Sequence, residues 1–207
     1  MLIPSERATV PRDSGVLRLL RDPLVWVGLM LLAYYGAWIA ARPQGVFWSL
    51  DEGGKFIYLE NVLATGHPGA PLAYPARILD PNLRFVPLYF SIQQGDALYS
   101  WWPVGFPLLS LPGYAAFGWW GLYLIPAACG ALTAILVGAI ARRLDPAARQ
   151  WPALAAAAIT GLATPVAFYS TMFWEHTANA CFVVLTLYAL LRARTAPAPR
   201  DARWLIA

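Results

Sequence analysis

The stretch "LVWVGLMLLAYYGAWIAA", residues 24–41, holds eighteen consecutive uncharged and mostly apolar residues. As a helix rising 1.5 Å per residue, such a run is just long enough to cross about 30 Å of hydrocarbon. It reads as a first membrane span. A cleaved signal peptide is the competing reading, but the polar leader (residues 1–23) is long, no small-x-small cleavage site follows, and further apolar runs come later. Composition agrees with a membrane protein: 59% of the 207 residues are apolar and 13% charged, with ten tryptophans and ten tyrosines.

Working outward, the runs 121–141, 151–167 and 177–191 read as three more spans. The first stops at Arg142-Arg143, ahead of the Asp145-Pro146 turn signal. The last is closed by arginines and the prolines of "RARTAPAPR". The final "RWLIA" looks like the start of a fifth span. Between residues 42 and 120 lies a long loop. Its end, "WWPVGFPLLSLPGYAAFGWW" (101–120), is apolar but divided by Pro103, Pro107 and Pro112, and reads as a broken helix at the membrane interface. The segment around "QQGD" (93–96) suggests a short hairpin. The fold expected is therefore an all-α polytopic membrane protein with about four transmembrane helices, an interfacial broken helix and a large loop carrying a short amphipathic helix.

Basic residues set the expected sides. Arg7, Arg12, Arg18 and Arg21 precede span one, Arg142, Arg143 and Arg149 separate spans two and three, and Arg192, Arg194, Arg200 and Arg203 follow span four. Short cytoplasmic loops collect such residues, so the amino terminus is expected in the cytoplasm and loop 42–120 on the outer face. Residues 42–103, with four basic and five acidic residues, fit that side. The net charge of +4 lies in short clusters beside apolar runs rather than in a patch, which argues against nucleic acid as a partner. Cys129 and Cys181 each sit in an apolar run with neither metal-ligand spacing nor a redox motif, and read as packing residues.

The charges that can carry chemistry cluster at two places. In "FWSLDEGGKFIYLEN" (47–61), Asp51 and Glu52 open a helix whose natural stop is Gly66. A plain structural role is available: Ser49 and Glu52 have capping-box spacing, and Asp51 can favour the positive helix end and pair with Lys55 four residues on. The expected topology brings Glu175 and His176, in "FYSTMFWEHTAN" (168–179), to the same side, where they too can simply cap a helix at headgroup level. Together, however, three carboxylates and an imidazole at one membrane face suit catalysis. One carboxylate can act as general base while others, Glu52 and Glu175, bind a divalent cation such as Mg or Mn. Lys55 and Arg84 are loop cations able to meet a phosphate, as is Arg77, and solvated loop charge is their ordinary role. His67, in the turn "TGHPG", reads as a surface loop residue.

This pattern resembles the GT-C superfamily of membrane glycosyltransferases, in particular members of the protein mannosyltransferase and aminoarabinose transferase type. It is carried by "SLDEGGKFIYLEN", "YSWWPVGFPLLSLPGYAAFG", "GLYLIPAACGALTAILVGAIARRLDP" and "ATPVAFYSTMFWEHT", over residues 24–195. The resemblance implies inverting transfer of a sugar from a polyprenyl-phosphate donor to a lipid, glycan or protein acceptor at the outer face of a bacterial inner membrane. It implies Asp51 as the base that activates the acceptor, Glu52 as helper or metal ligand, and Glu175 as the second acidic site, with Lys55, His176 and Arg84 toward substrate. The chain departs from the family pattern in carrying Ser170 without a following arginine, and Glu175-His176 in place of an aspartate. Such enzymes have more spans, so the chain looks like an amino-terminal portion. The alternative is a non-catalytic membrane protein, a transporter half or assembly subunit, whose outer carboxylates bind an ion or cap helices. A transporter would show broken helices near the bilayer midplane.

Overall fold

The computed structural model describes residues 20–86, 91–147 and 149–195. The leader up to residue 19 and the expected fifth span fall outside them. In order, the elements are α1 (Pro23–Ala40), α2 (Leu50–Thr65), a 3-10 turn (Pro75–Ile78), β1 (Ser91–Gln94), β2 (Ala97–Ser100), α3 (Gly105–Phe117), a second 3-10 segment (Gly118–Tyr123), α4 (Leu124–Leu144), α5 (Gln150–Leu162), α6 (Pro165–Tyr169) and α7 (His176–Thr195). The protein is mostly helical. Three stretches are long and apolar enough to cross a membrane: Pro23–Ala40, Gly105–Leu144 and His176–Arg194.

α1 begins where Asp22 accepts the Leu24 amide at 3.0 Å and Pro23 supplies a preset first-turn φ. The same carboxylate takes two hydrogen bonds from Arg142, at 3.1 and 2.9 Å, which ties the start of α1 to the end of α4. α4 packs against α1, α5 and α7. A Cβ on Gly138 would come within 2.8 Å of the Ala153 carbonyl, so α4 and α5 meet backbone to backbone, as small residues permit in membranes. In the second half of α1, the buried Tyr35 hydroxyl donates to the Gly161 carbonyl at 2.8 Å. Leu31, Tyr35, Ile39, Leu122, Ala131 and Phe173 belong to one buried apolar cluster around these helices.

Two expectations are corrected in detail. The run 151–167 is not one helix: α5 stops at Leu162 and α6 restarts at Pro165. Pro165 drives Thr164 to extended backbone (φ −125°, ψ 170°), and the Thr164 hydroxyl then caps α6 through the Val166 amide. In the 101–120 stretch the break falls at Gly118, not at the prolines. Pro107 occupies the first turn of α3, where amides have no helical partner anyway, and Pro112 is accommodated inside the helix. Gly118 (φ 58°) turns the chain so that Gly121 lies directly on Gly113, close enough for an added Cβ to overlap the Gly113 carbonyl.

The "QQGD" hairpin is present, with Ser91 paired to Ser100 and Gln94 to Ala97. Its two-residue turn has Gly95 at φ 60°, as a glycine-first hairpin turn requires.

The bundle has two chemically different ends. At one, Asp22 meets Arg142 and Arg143 lies 5.3 Å from the Tyr188 ring. At the other, the residues following α1 meet the start of α2, the start of α4 and the segment leading into α7. The candidate site is built there.

Candidate functional site

Arg42 leaves α1 two residues past its last helical position. Its side chain is 8% exposed, its Nη1 donates to the Thr171 carbonyl, and its Nη2 lies 3.7 Å from Glu52 Oε1. The guanidinium carbon stands 5.0 Å from the Tyr123 ring and 5.6 Å from the Trp48 ring, within cation–π range. Arg42 thus joins the end of α1, the start of α2, the 3-10 segment leading into α4 and the α6–α7 connection at one point.

Glu52 is the partner that makes this point rigid. Ser49 caps α2 by accepting the Glu52 amide at 3.3 Å. The reciprocal half of the expected capping box reaches one residue further back: Glu52 Oε2 accepts the Trp48 amide at 2.8 Å. Its other oxygen accepts the Phe173 amide at 2.7 Å. Fully buried, with one backbone amide on each oxygen and a guanidinium beside it, this carboxylate is spoken for.

Lys55, one turn further along α2, is 1% exposed and pairs with Glu175. Its ammonium lies 5.5 Å from the Trp102 ring and 5.4 Å from the Trp174 ring. The expected local pair with Asp51 does not form, because Glu175 arrives from 120 residues away and takes the lysine. Asp51 is left half-buried on the first turn of α2, and no ion pair holds its carboxylate among the described residues. His176 is exposed at the start of α7, its ring 4.5 Å from those of Tyr169 and Trp174.

The structure therefore brings Asp51, Glu52, Lys55, Glu175 and His176 to one end of the bundle and leaves Arg84 elsewhere. Arg84 is exposed on the loop, where its amide donates to Asp80 Oδ1 at 2.8 Å. His67 sits in an exposed turn, accepting the Gly69 amide at 3.1 Å. As for a cation, no group of three or more His, Cys, Asp or Glu side chains suited to a metal forms among the described residues. Glu52 and Glu175, the expected ligands, already hold Arg42 and Lys55.

Two openings flank Trp48. A groove of about 550 Å³ runs over the first half of α2, lined by Trp48, Ser49, Leu50, Gly53, Gly54 and Ile57 on one side, with Leu72, Tyr74 and Leu98 opposite. Gly53 leaves the helix backbone open there, whereas at Gly54 the Trp102 indole lies so close that an added Cβ would overlap it. A second cleft of about 360 Å³ lies between α1 and α6, lined by Tyr34, Trp38, Arg42, Trp48, Phe168 and Thr171. One opening faces the loop and the other the apolar helices, and Trp48 borders both.

Sequence reasoning missed the central role of Arg42, Trp48 and Tyr123, and the Phe173 amide. Arg42 carried the one legible signal, a cation immediately after an apolar run that the membrane interface alone would explain. No family model, curated protein or solved structure matches this chain.

Proposed function

We propose that the chain is a membrane glycosyltransferase of GT-C type, or the amino-terminal portion of one, with Asp51 as the base that takes the proton of an acceptor hydroxyl or amine. The observation that carries this is the division of labour among the carboxylates. Glu52 and Glu175 are engaged by Arg42 and Lys55, whereas Asp51, on the first turn of α2 whose Leu50, Gly53 and Gly54 line the groove, has no ion pair among the described residues. A general base needs an uncommitted lone pair within reach of solvent or substrate.

In this reading a polyprenyl-phosphate sugar enters from the bilayer through the α1–α6 cleft and the acceptor lies in the α2 groove, the two meeting near Trp48. Loop 42–120 faces outward and the arginine-rich end lies in the cytoplasm of a bacterial inner membrane. α5 and α6 then form a fourth, interrupted crossing, since their two ends approach Asp22 and Arg42 respectively. The test is transfer of radiolabelled sugar from a polyprenyl-phosphate donor in membranes carrying the longest native reading frame. Abolition by Asp51→Asn at normal protein level supports the reading.

The second reading is a non-catalytic subunit. The observation favouring it is that the paired charges also explain themselves as a staple joining α1, α2 and α7. Transfer that is absent from wild type and variant alike would favour it.

A further inference from the structure

The outer loop presents an apolar tip that the fold works to hold out. Ile78, Leu79 and Phe85 are 92%, 86% and 79% exposed. On the apolar helices of this chain the exposed side chains are mostly less bare, such as Trp38 at 53% and Phe182 at 61%.

The tip is tied in place by its own backbone. The amides of Leu79 and Asp80 both bond the Ala76 carbonyl at 2.9 Å. The buried Asp80 carboxylate accepts the amides of Arg84 and Phe85 at 2.8 Å each, and the Tyr74 hydroxyl at 3.2 Å. Leu83, at φ 54°, turns inward and is buried with Val86 and Leu98. Folding thus hides one leucine of the loop while displaying its neighbours. Two arginines, Arg77 and Arg84, are exposed beside the displayed residues, and Arg77 also bonds the Asp96 carbonyl of the hairpin turn.

We propose that this tip is a membrane-surface anchor: Ile78, Leu79 and Phe85 insert into the headgroup region of the bilayer while Arg77 and Arg84 meet anionic phosphates. Three observations favour a lipid surface over a protein partner. Three stretches of this same chain are long and apolar enough to cross a bilayer, so a lipid surface accompanies the chain. The exposed side chains are aliphatic and aromatic wedges flanked by cations, the composition that interfacial segments use. The tip and the α2 groove share a loop, since Leu72 and Tyr74 line the groove just before the Pro75–Ile78 turn. Insertion would bring the mouth of that groove to lipid level. The inference stands whether or not the chain is a transferase.

The test uses the full chain with Cys129 and Cys181 replaced by alanine, after thermal unfolding shows the background to be folded. Single cysteines at Ile78, Leu79, Phe85 and, as a control, the exposed Gln93 carry an environment-sensitive fluorophore. The protein is reconstituted into phosphatidylcholine vesicles with or without phosphatidylglycerol, together with lipids spin-labelled high on the acyl chain. Labels at 78, 79 and 85 are expected to be blue-shifted and quenched several-fold more than at 93, with more quenching in phosphatidylglycerol. Arg77→Gln with Arg84→Gln should remove that lipid dependence. Labels as wet and unquenched as at 93 overturn the proposal. A blue shift without lipid quenching also overturns it, by showing that protein covers the tip.

Discussion

The Glu52 carboxylate accepts the amide of Phe173, 121 residues later, at 2.7 Å, while its second oxygen holds the Trp48 amide. A helix-capping residue is thereby made into the joint between the first loop and the entry to α7. Removing its charge leaves Arg42 buried without a counter-ion, and breaking one side of a buried pair costs about 3–5 kcal/mol. Glu52→Gln is therefore expected to lower the melting temperature in detergent sharply. Asp51→Asn, next to it, should cost under about 1 kcal/mol, since only a helix-end charge is lost. Equal losses from both would contradict the assignment.

The Lys55–Glu175 pair predicts an asymmetry. Glu175→Gln strands a nearly buried ammonium between two tryptophans and should cost about 1–3 kcal/mol. Lys55→Met fills the same space without a charge, and Glu175 is partly exposed and can turn to water, so the loss should be smaller. Chemical denaturation of the two variants and of the double variant checks the order.

The capping of α2 by Ser49, its stop at Gly66 and the Gly95 turn were legible in the sequence because they obey local rules spanning a few residues. So were α1 and α7, as apolar runs ended by charge. The partner of Lys55 was not legible: the four-residue spacing from Asp51 favours a local pair, and only the folded bundle delivers Glu175. Thr164-Pro165 carried a readable break inside the alanine-rich run, which its hydrophobicity masked. Gly118 was overshadowed by three prolines, of which Pro103 lies before α3 and Pro107 and Pro112 are tolerated within it.

Gly121 predicts a packing limit. Gly121→Ala would drive a methyl group into the Gly113 carbonyl, backbone that has little room to move. Overpacking of this kind costs about 1–3 kcal/mol. Lower melting temperature with retained helix content by circular dichroism is expected, and an unchanged melt would contradict the close approach.

Asp80 predicts a pH dependence. Burial pushes its carboxyl up, but the amides of Phe85 and Arg84 and the Tyr74 hydroxyl outweigh that, and the net shift is downward from 3.8. A lowered carboxylate stabilises the fold fully above its unfolded value and loses that contribution as pH falls through the folded value. The loop should hold near neutral pH and loosen below about 4. Hydrogen exchange of the Arg84 and Phe85 amides, corrected for intrinsic rates, follows it. Protection unchanged down to strongly acid pH would contradict the role of Asp80, and Asp80→Asn should lack the transition.

Under the proposed function Asp51, not its buried neighbour Glu52, takes the acceptor proton. The most direct measurement is the single-turnover rate of sugar transfer from a polyprenyl-phosphate donor, wild type against Asp51→Asn, at equal amounts of folded protein. Loss of a general base predicts a fall of about 10²- to 10⁴-fold, with the melting temperature lowered by no more than the small helix-end cost. An unaltered rate would contradict the account and return Asp51 to the helix end it decorates.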